Sequence, residues 1–178
     1  PPFLEHGRTE LRLSARRGRV FEGTFGPADY LVPGADFDWP LAPRAGGGTA
    51  DLRRYTSANA SSAYTAQQMD PARDEAFVVA FSPTAGLAFG CVWQREDFPW
   101  LGLWEENRAR PGSPWDGRTV TWGLEFGASP FPETRRQMIE RGRLFGTPTV
   151  RWIPAGRTVE VDYRFVLSRA SAPPDELN

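Results

Sequence analysis

Apolar and polar residues alternate along much of this chain with a period of two, the spacing of strands. Leu11 and Leu13 alternate with Arg12 and Ser14, and Phe21 and Phe25 flank Gly23 on one face of a second candidate strand. Phe77, Val79 and Phe81 make an apolar face, and after a turn at Ser82-Pro83-Thr84 the pattern continues through Leu87, Phe89, Cys91 and Trp93. The opposite positions Gly86, Ala88 and Gly90 are small, which implies that another layer or a flat ligand packs close. The run from Phe98 to Trp104 is apolar on both faces and predicts a buried strand. Val120, Trp122, Leu124 and Phe126 then alternate with Thr121, Gly123 and Glu125, so one face can build a core while the other lines a groove. The clearest hairpin is the last. Thr149 to Ile153 leads into a turn at Pro154-Ala155-Gly156-Arg157, followed by Val159, Val161, Tyr163, Phe165 and Leu167 on one face.

The pattern fails from Gly26 to about Asp74, which reads as loop. A loop that long inside a domain is either functional or conceals short strands. One helix is expected after Ser129 or Phe131, with Pro132-Glu133-Thr134 in its first turn, Met138 and Ile139 facing the protein and Gly142 as its stop. The tail from Ala170 is polar and reads as frayed. With 18 Gly and 17 Pro to punctuate short strands, these elements predict an all-β fold: an antiparallel β-sandwich with one short helix, in a single domain over residues 1–178.

Composition narrows the partners. The net charge is −1, with no basic excess to attract nucleic acid or a membrane surface. No apolar stretch is long enough to span a bilayer. All 21 cationic side chains are Arg, as expected of a GC-rich, bacterial genome. Cys91 is the only cysteine, lies in an apolar run and reads as a buried small hydrophobe; a lone cysteine agrees with a cytoplasmic location. Neither an internal disulfide nor a cysteine-based metal cluster is possible, and no metal site is expected. The chain begins with Pro1-Pro2, which suggests a piece of a longer protein.

Candidate chemistry concentrates in two places. Glu125 is a single acid between Leu124 and Phe126, where partial desolvation would raise its proton affinity into the range of a general base; the alternative is an ordinary ion pair with an Arg. Trp100 and Trp104, separated by Leu101, Gly102 and Leu103, offer either core or a flat platform on which sugars stack. Glu105-Glu106-Asn107-Arg108 supplies groups that orient hydroxyls, or else a solvated strand end. Gln94-Arg95-Glu96-Asp97 ends the preceding strand, and a hairpin between the two strands would bring both clusters to one rim. Glu133 reads as a first-turn helix acid and His6, the only imidazole, as a solvated loop residue. Gly46-Gly47-Gly48 lacks the context of a phosphate loop.

Four segments carry a resemblance: Pro1-Pro2-Phe3-Leu4-Glu5, Phe37-Asp38-Trp39-Pro40, Phe98 to Glu105, and Gly123-Leu124-Glu125-Phe126. Together the chain resembles the later part of an aldose 1-epimerase (galactose mutarotase)-like protein. The resemblance implies a large, strongly curved supersandwich, of which this would be the C-terminal portion. It implies sugar anomers interconverted by acid/base ring opening, without a metal or organic cofactor, and a monosaccharide as partner. Glu125 matches the family's late-strand base, although Phe126 stands where a Pro is usual. The family's acid, a His before the Pro-Pro-Phe-Leu segment, has no counterpart here, and the role does not pass to His6. On this reading Asn107, Glu105 and Arg95 orient hydroxyls, and Trp100 or Trp104 forms the stacking floor. A non-catalytic carbohydrate-binding domain and an accessory sandwich of a larger polypeptide are the alternatives, and the oligomeric state is open.

Overall fold

A computed structural model describes residues 5, 7–23, 29–54, 60–175 and 177. The expectations for Pro1 to Leu4, His6 and Phe25 lie outside the described residues.

The fold is an all-β sandwich. Its strands in chain order are β1 (Glu10–Leu13), β2 (Ala15–Val20), β3 (Asp36–Asp38), β4 (Leu41–Pro43), β5 (Thr49–Asp51), β6 (Ser61–Met69), β7 (Glu75–Ser82), β8 (Leu87–Gln94), β9 (Trp100–Asn107) and β10 (Val120–Gly127). The helix α1 (Arg135–Arg141) follows, then β11 (Arg143–Leu144), β12 (Thr147–Pro148) and β13 (Tyr163–Arg169). One sheet has the order β1-β7-β8-β13, the other β10-β9-β6-β2-β3, and β4-β5 and β11-β12 form small ribbons. Every strand pair in these sheets is antiparallel.

Alternation decides what lies between the layers. Leu11, Leu13, Val78, Cys91 and Trp93 of the four-stranded sheet meet Val20, Ala63, Met69, Leu101, Leu103 and Trp122 of the five-stranded one in a single apolar core. At one end the contact is aromatic. Trp93 stacks on Phe126 at 4.6 Å, and Tyr163 meets Phe126 edge-on at 5.4 Å.

The four-stranded sheet also buries its outer face. Register places Phe77 opposite Val92, Val79 opposite Gly90 and Phe81 opposite Ala88, so the large apolar face of β7 adjoins the small face of β8. Phe89, Cys91 and Trp93 therefore point the other way, into the core, rather than continuing the Phe77 face. The small face is small for a reason: Leu177 occupies the space that a Cβ at Gly90 would need. The tail expected to fray is thus held at Ala170 and Leu177. Ala170 and Leu177 pack on the cluster of Phe77, Val79, Phe81, Ala88 and Val92.

Three further expectations are corrected. The stretch from Gly26 to Asp74 holds three short strands and β6, a nine-residue strand that is buried throughout and sits at the centre of its sheet. The terminal hairpin does not form. Its turn exists, with Gly156 at φ 72° and the Arg157 N–H donating to the Pro154 carbonyl, but residues 149–162 join neither sheet, and β13 pairs with β8 instead. β8 offers apolar partners in matching register, including Phe89, which stacks on Phe165 at 5.8 Å. The helix starts later than expected, with Thr134 as its N-cap and Gln137 completing a capping box, and it ends at Gly142. It buries no residue, so Met138 and Ile139 do not anchor it. Glu133 lies before the cap and pairs with Arg141, which also grips Glu22.

Candidate functional site

The site is built on the outer face of the five-stranded sheet, the face turned away from the core. Register brings Glu125 opposite Gly102, and Gly102 opposite Ala66; one step along, Gly123, Trp104 and Tyr64 stand in line. The face therefore carries Thr121, Gly123 and Glu125 of β10, Trp100, Gly102, Trp104 and Glu106 of β9, and Ser62, Tyr64, Ala66 and Gln68 of β6. Residues after β10 cover the Trp100 end. Phe131 and Leu144 pack with Tyr64, Ala66 and Trp100. The Glu125 end stays open.

Two glycines shape that end. The Tyr64 hydroxyl lies where a Cβ at Gly102 would stand, so the absence of a side chain there lets the phenol reach across β9. Gly123 leaves the Glu125 carboxylate room beside the Trp104 ring. The Tyr64 hydroxyl donates to Glu125 Oε2 at 3.4 Å, a long bond. Burial on its protein side raises the Glu125 pKa above the usual carboxylate value, and the Tyr64 hydrogen bond partly opposes the rise. Desolvation, followed by the nearby Glu125 charge, pushes the Tyr64 phenol up. Tyr64 thus stays protonated and serves as a hydrogen-bond donor. Among the described residues, no guanidinium pairs with Glu125.

Beyond Gly123 the face becomes aromatic. Trp104 and Trp115 meet edge-on, with ring centroids 5.3 Å apart. The Arg110 guanidinium lies 5.5 Å from one ring and 5.2 Å from the other, and it pairs with buried Glu106 at 3.3 Å. Glu106 also accepts the backbone N–H groups of Ala109 and Arg110, which fixes the turn leaving β9.

The residues expected to form one site divide among four places. Glu125 and Trp104 share the outer face. Trp100 is on that face too, but it is fully buried and donates from its indole nitrogen to the Pro148 carbonyl at 2.8 Å, so it is core rather than floor. Glu105 and Asn107 point the opposite way, into the sandwich. Glu105 accepts from Ser61 at 2.8 Å and from Tyr30 at 3.0 Å, and Asn107 donates to Ser61 at 3.2 Å. Burial raises the Glu105 pKa, the two hydrogen bonds opposing it. Arg95 lies at the far end of β9, where it donates to the Arg73 carbonyl at 2.8 Å. No shared rim exists, because β8 and β9 belong to different sheets.

Two cavities lie away from Glu125. One of about 580 Å³ is lined by Arg95, Asp97, Thr147 and Arg151, with Asp97 and Arg151 paired at 2.8 Å. The other, about 340 Å³, opens between the sheets and is lined by Phe89, Cys91, Trp122, Leu124, Phe126 and Phe165. Among the described residues, no group of three His, Cys, Asp or Glu side chains is placed to hold a metal ion.

Sequence reasoning missed Tyr64, Trp115 and Arg110. Tyr64 sat in the polar run read as loop, although Ser62, Tyr64, Ala66 and Gln68 do alternate with Ala63, Thr65, Gln67 and Met69. Trp115 and Arg110 stand in a loop, where no periodicity marks them. The chain matches no family model, no curated protein and no solved structure.

Proposed function

We propose that the open outer face binds a carbohydrate, with Trp104 and Trp115 as the apolar surface and Glu125, Tyr64 and Arg110 as its polar contacts. The observation that carries this reading is the meeting of a proton-hungry carboxylate, a phenol and an indole over Gly102 and Gly123, whose missing side chains let the three groups come together. Sugars present apolar C–H faces beside hydroxyls that donate and accept, and this set matches both. An ionised carboxylate accepts from two hydroxyls, and a guanidinium donates to others. Titrating the protein with monosaccharides at millimolar concentration, followed by tryptophan fluorescence, tests it. Quenching or a shift that Trp104→Ala abolishes is the expected result; no response from any sugar sinks the reading.

Catalysis at the same place is a second reading, favoured by the raised Glu125 pKa, which suits a base for an anomeric hydroxyl. Tyr64 is a weak acid, so a two-handed ring opening would draw its proton from elsewhere. Anomer interconversion followed by NMR separates the readings. Glu125→Gln abolishes interconversion and spares binding if the protein is an aldose 1-epimerase-like isomerase; no interconversion in the unaltered chain leaves a carbohydrate-binding sandwich.

A further inference from the structure

Residues 157–162 have the apolar alternation of a strand, and among the described residues no strand pairs with them. They lead directly into β13, which begins opposite Trp93 near the end of β8 and whose outer edge has no neighbour among the described residues. Tyr163, Phe165 and Leu167 turn toward the core side of their sheet, opposite Trp93, Cys91 and Phe89, yet are 49%, 61% and 67% exposed. Phe165 lines the cleft that stands open between the sheets.

We propose that two copies of this chain join here, pairing residues 157–169 antiparallel about a two-fold axis at Tyr163. In that register Val161 lies opposite Phe165 of the second copy, Val159 opposite Leu167, and Asp162 opposite Arg164, each contact occurring twice. Apolar meets apolar on the core side, and opposite charges meet on the outer side. The neighbouring registers fail on charge. An axis at Asp162 sets that residue against itself, and an axis at Arg164 does the same to the guanidinium. Arg157 and Arg169 meet only at the ends of the ladder. The projecting arm of each copy covers the bare edge of the other, so both unpaired backbones are satisfied together. Exposed strand edges are ordinarily protected, and reciprocal pairing is one protection. The occupant is a second copy because the strand is complementary to itself in both polarity and charge.

Sedimentation velocity of the full chain over a concentration series tests this. The expected species is a dimer. Asp162→Arg and Arg164→Asp each set like charges opposite one another at two places and weaken the dimer roughly ten-fold or more. Combining them restores the pairing to within a few-fold. All four side chains in those contacts are at the surface, and circular dichroism of each variant verifies the fold. A monomer at every concentration up to about 100 µM, above the micromolar-to-picomolar range of standard interfaces, overturns the proposal. So does a dimer indifferent to both single reversals, or a double variant no better than the singles.

Discussion

Glu105 and Glu125 stand on adjacent strands of one sheet, and burial raises the pKa of both, yet they have opposite meanings. Glu105 faces inward and is only 4% exposed; its two oxygens accept from Ser61 and Tyr30, so its hydrogen bonds are spent inside the sandwich. Glu125 faces outward, with one long bond from Tyr64 and open solvent beyond. A perturbed carboxylate is thus not in itself a site. What distinguishes the two is whether the oxygens still have capacity to receive another molecule.

The contrast can be broken from either side. Glu105→Ala leaves the Ser61 and Tyr30 hydroxyls without their acceptor, and the expected loss is the largest, about 2–3 kcal/mol by denaturant unfolding. Glu105→Gln retains an acceptor and loses less, while any sugar response is unaltered. An intact Tm in Glu105→Ala would show that the inner cluster is not structural. Gly102→Ala drives a methyl into the Tyr64 hydroxyl, and overpacking of this kind costs about 1–3 kcal/mol. It also disturbs the outer face, so sugar response falls as well. Tyr64→Phe has a smaller effect on stability. It removes the one bond that holds the Glu125 pKa down, so the carboxylate titrates at higher pH, as carboxyl NMR would register. A downward movement would contradict the assignment.

The smallest effect is that of Glu125→Gln on stability, and its sign follows from linkage. Because the folded-state pKa is raised, the group's contribution to stability is complete below the ordinary carboxylate pKa and is lost as pH rises through the raised value. Gln does not titrate. The variant therefore gains on the native chain near neutrality, and the gain disappears in acid. Thermal unfolding between about pH 3 and pH 8 measures it. A gain that grows toward acid would mean that Glu125 is stabilised as a carboxylate.

The outer site was legible in the chain only in part. β10 declared itself because large apolar residues alternate with small or polar ones, and the position of Glu125 followed. β6 did not, because its polar residues fall on both faces. They are tolerated at the centre of the sheet because most of their polar atoms find partners, Gln67 Oε1 excepted among the described residues: Gln67 donates to Thr65, Gln68 to the Phe145 carbonyl and Thr147, and Ser61 and Ser62 to Glu105 and Asp29. Apart from the Gln67–Thr65 bond, that accounting is tertiary and leaves no local trace. The division of Glu105 from Glu125 has the same origin. Alternation says that neighbours on one strand face apart, but the partners of β9 decide which side is core. Likewise the turn at Pro154 to Arg157 was readable from its residues, whereas the choice of β8 as partner for β13 depended on a strand some seventy positions earlier.

Cys91 gives the cleft between the sheets a built-in clock. It is the sole thiol, 2% exposed, lies on the wall of that cleft, and its pKa is pushed up to about 11 by burial. The cleft is the way in, and the side chains that line it leave only 2% of the residue exposed, so an alkylating reagent reaches the sulfur when they move aside. The labelling rate at fixed pH therefore reports access through that cleft, without a probe having to be introduced. Anything that seals the open side, whether another polypeptide or a small apolar molecule, will slow that clock.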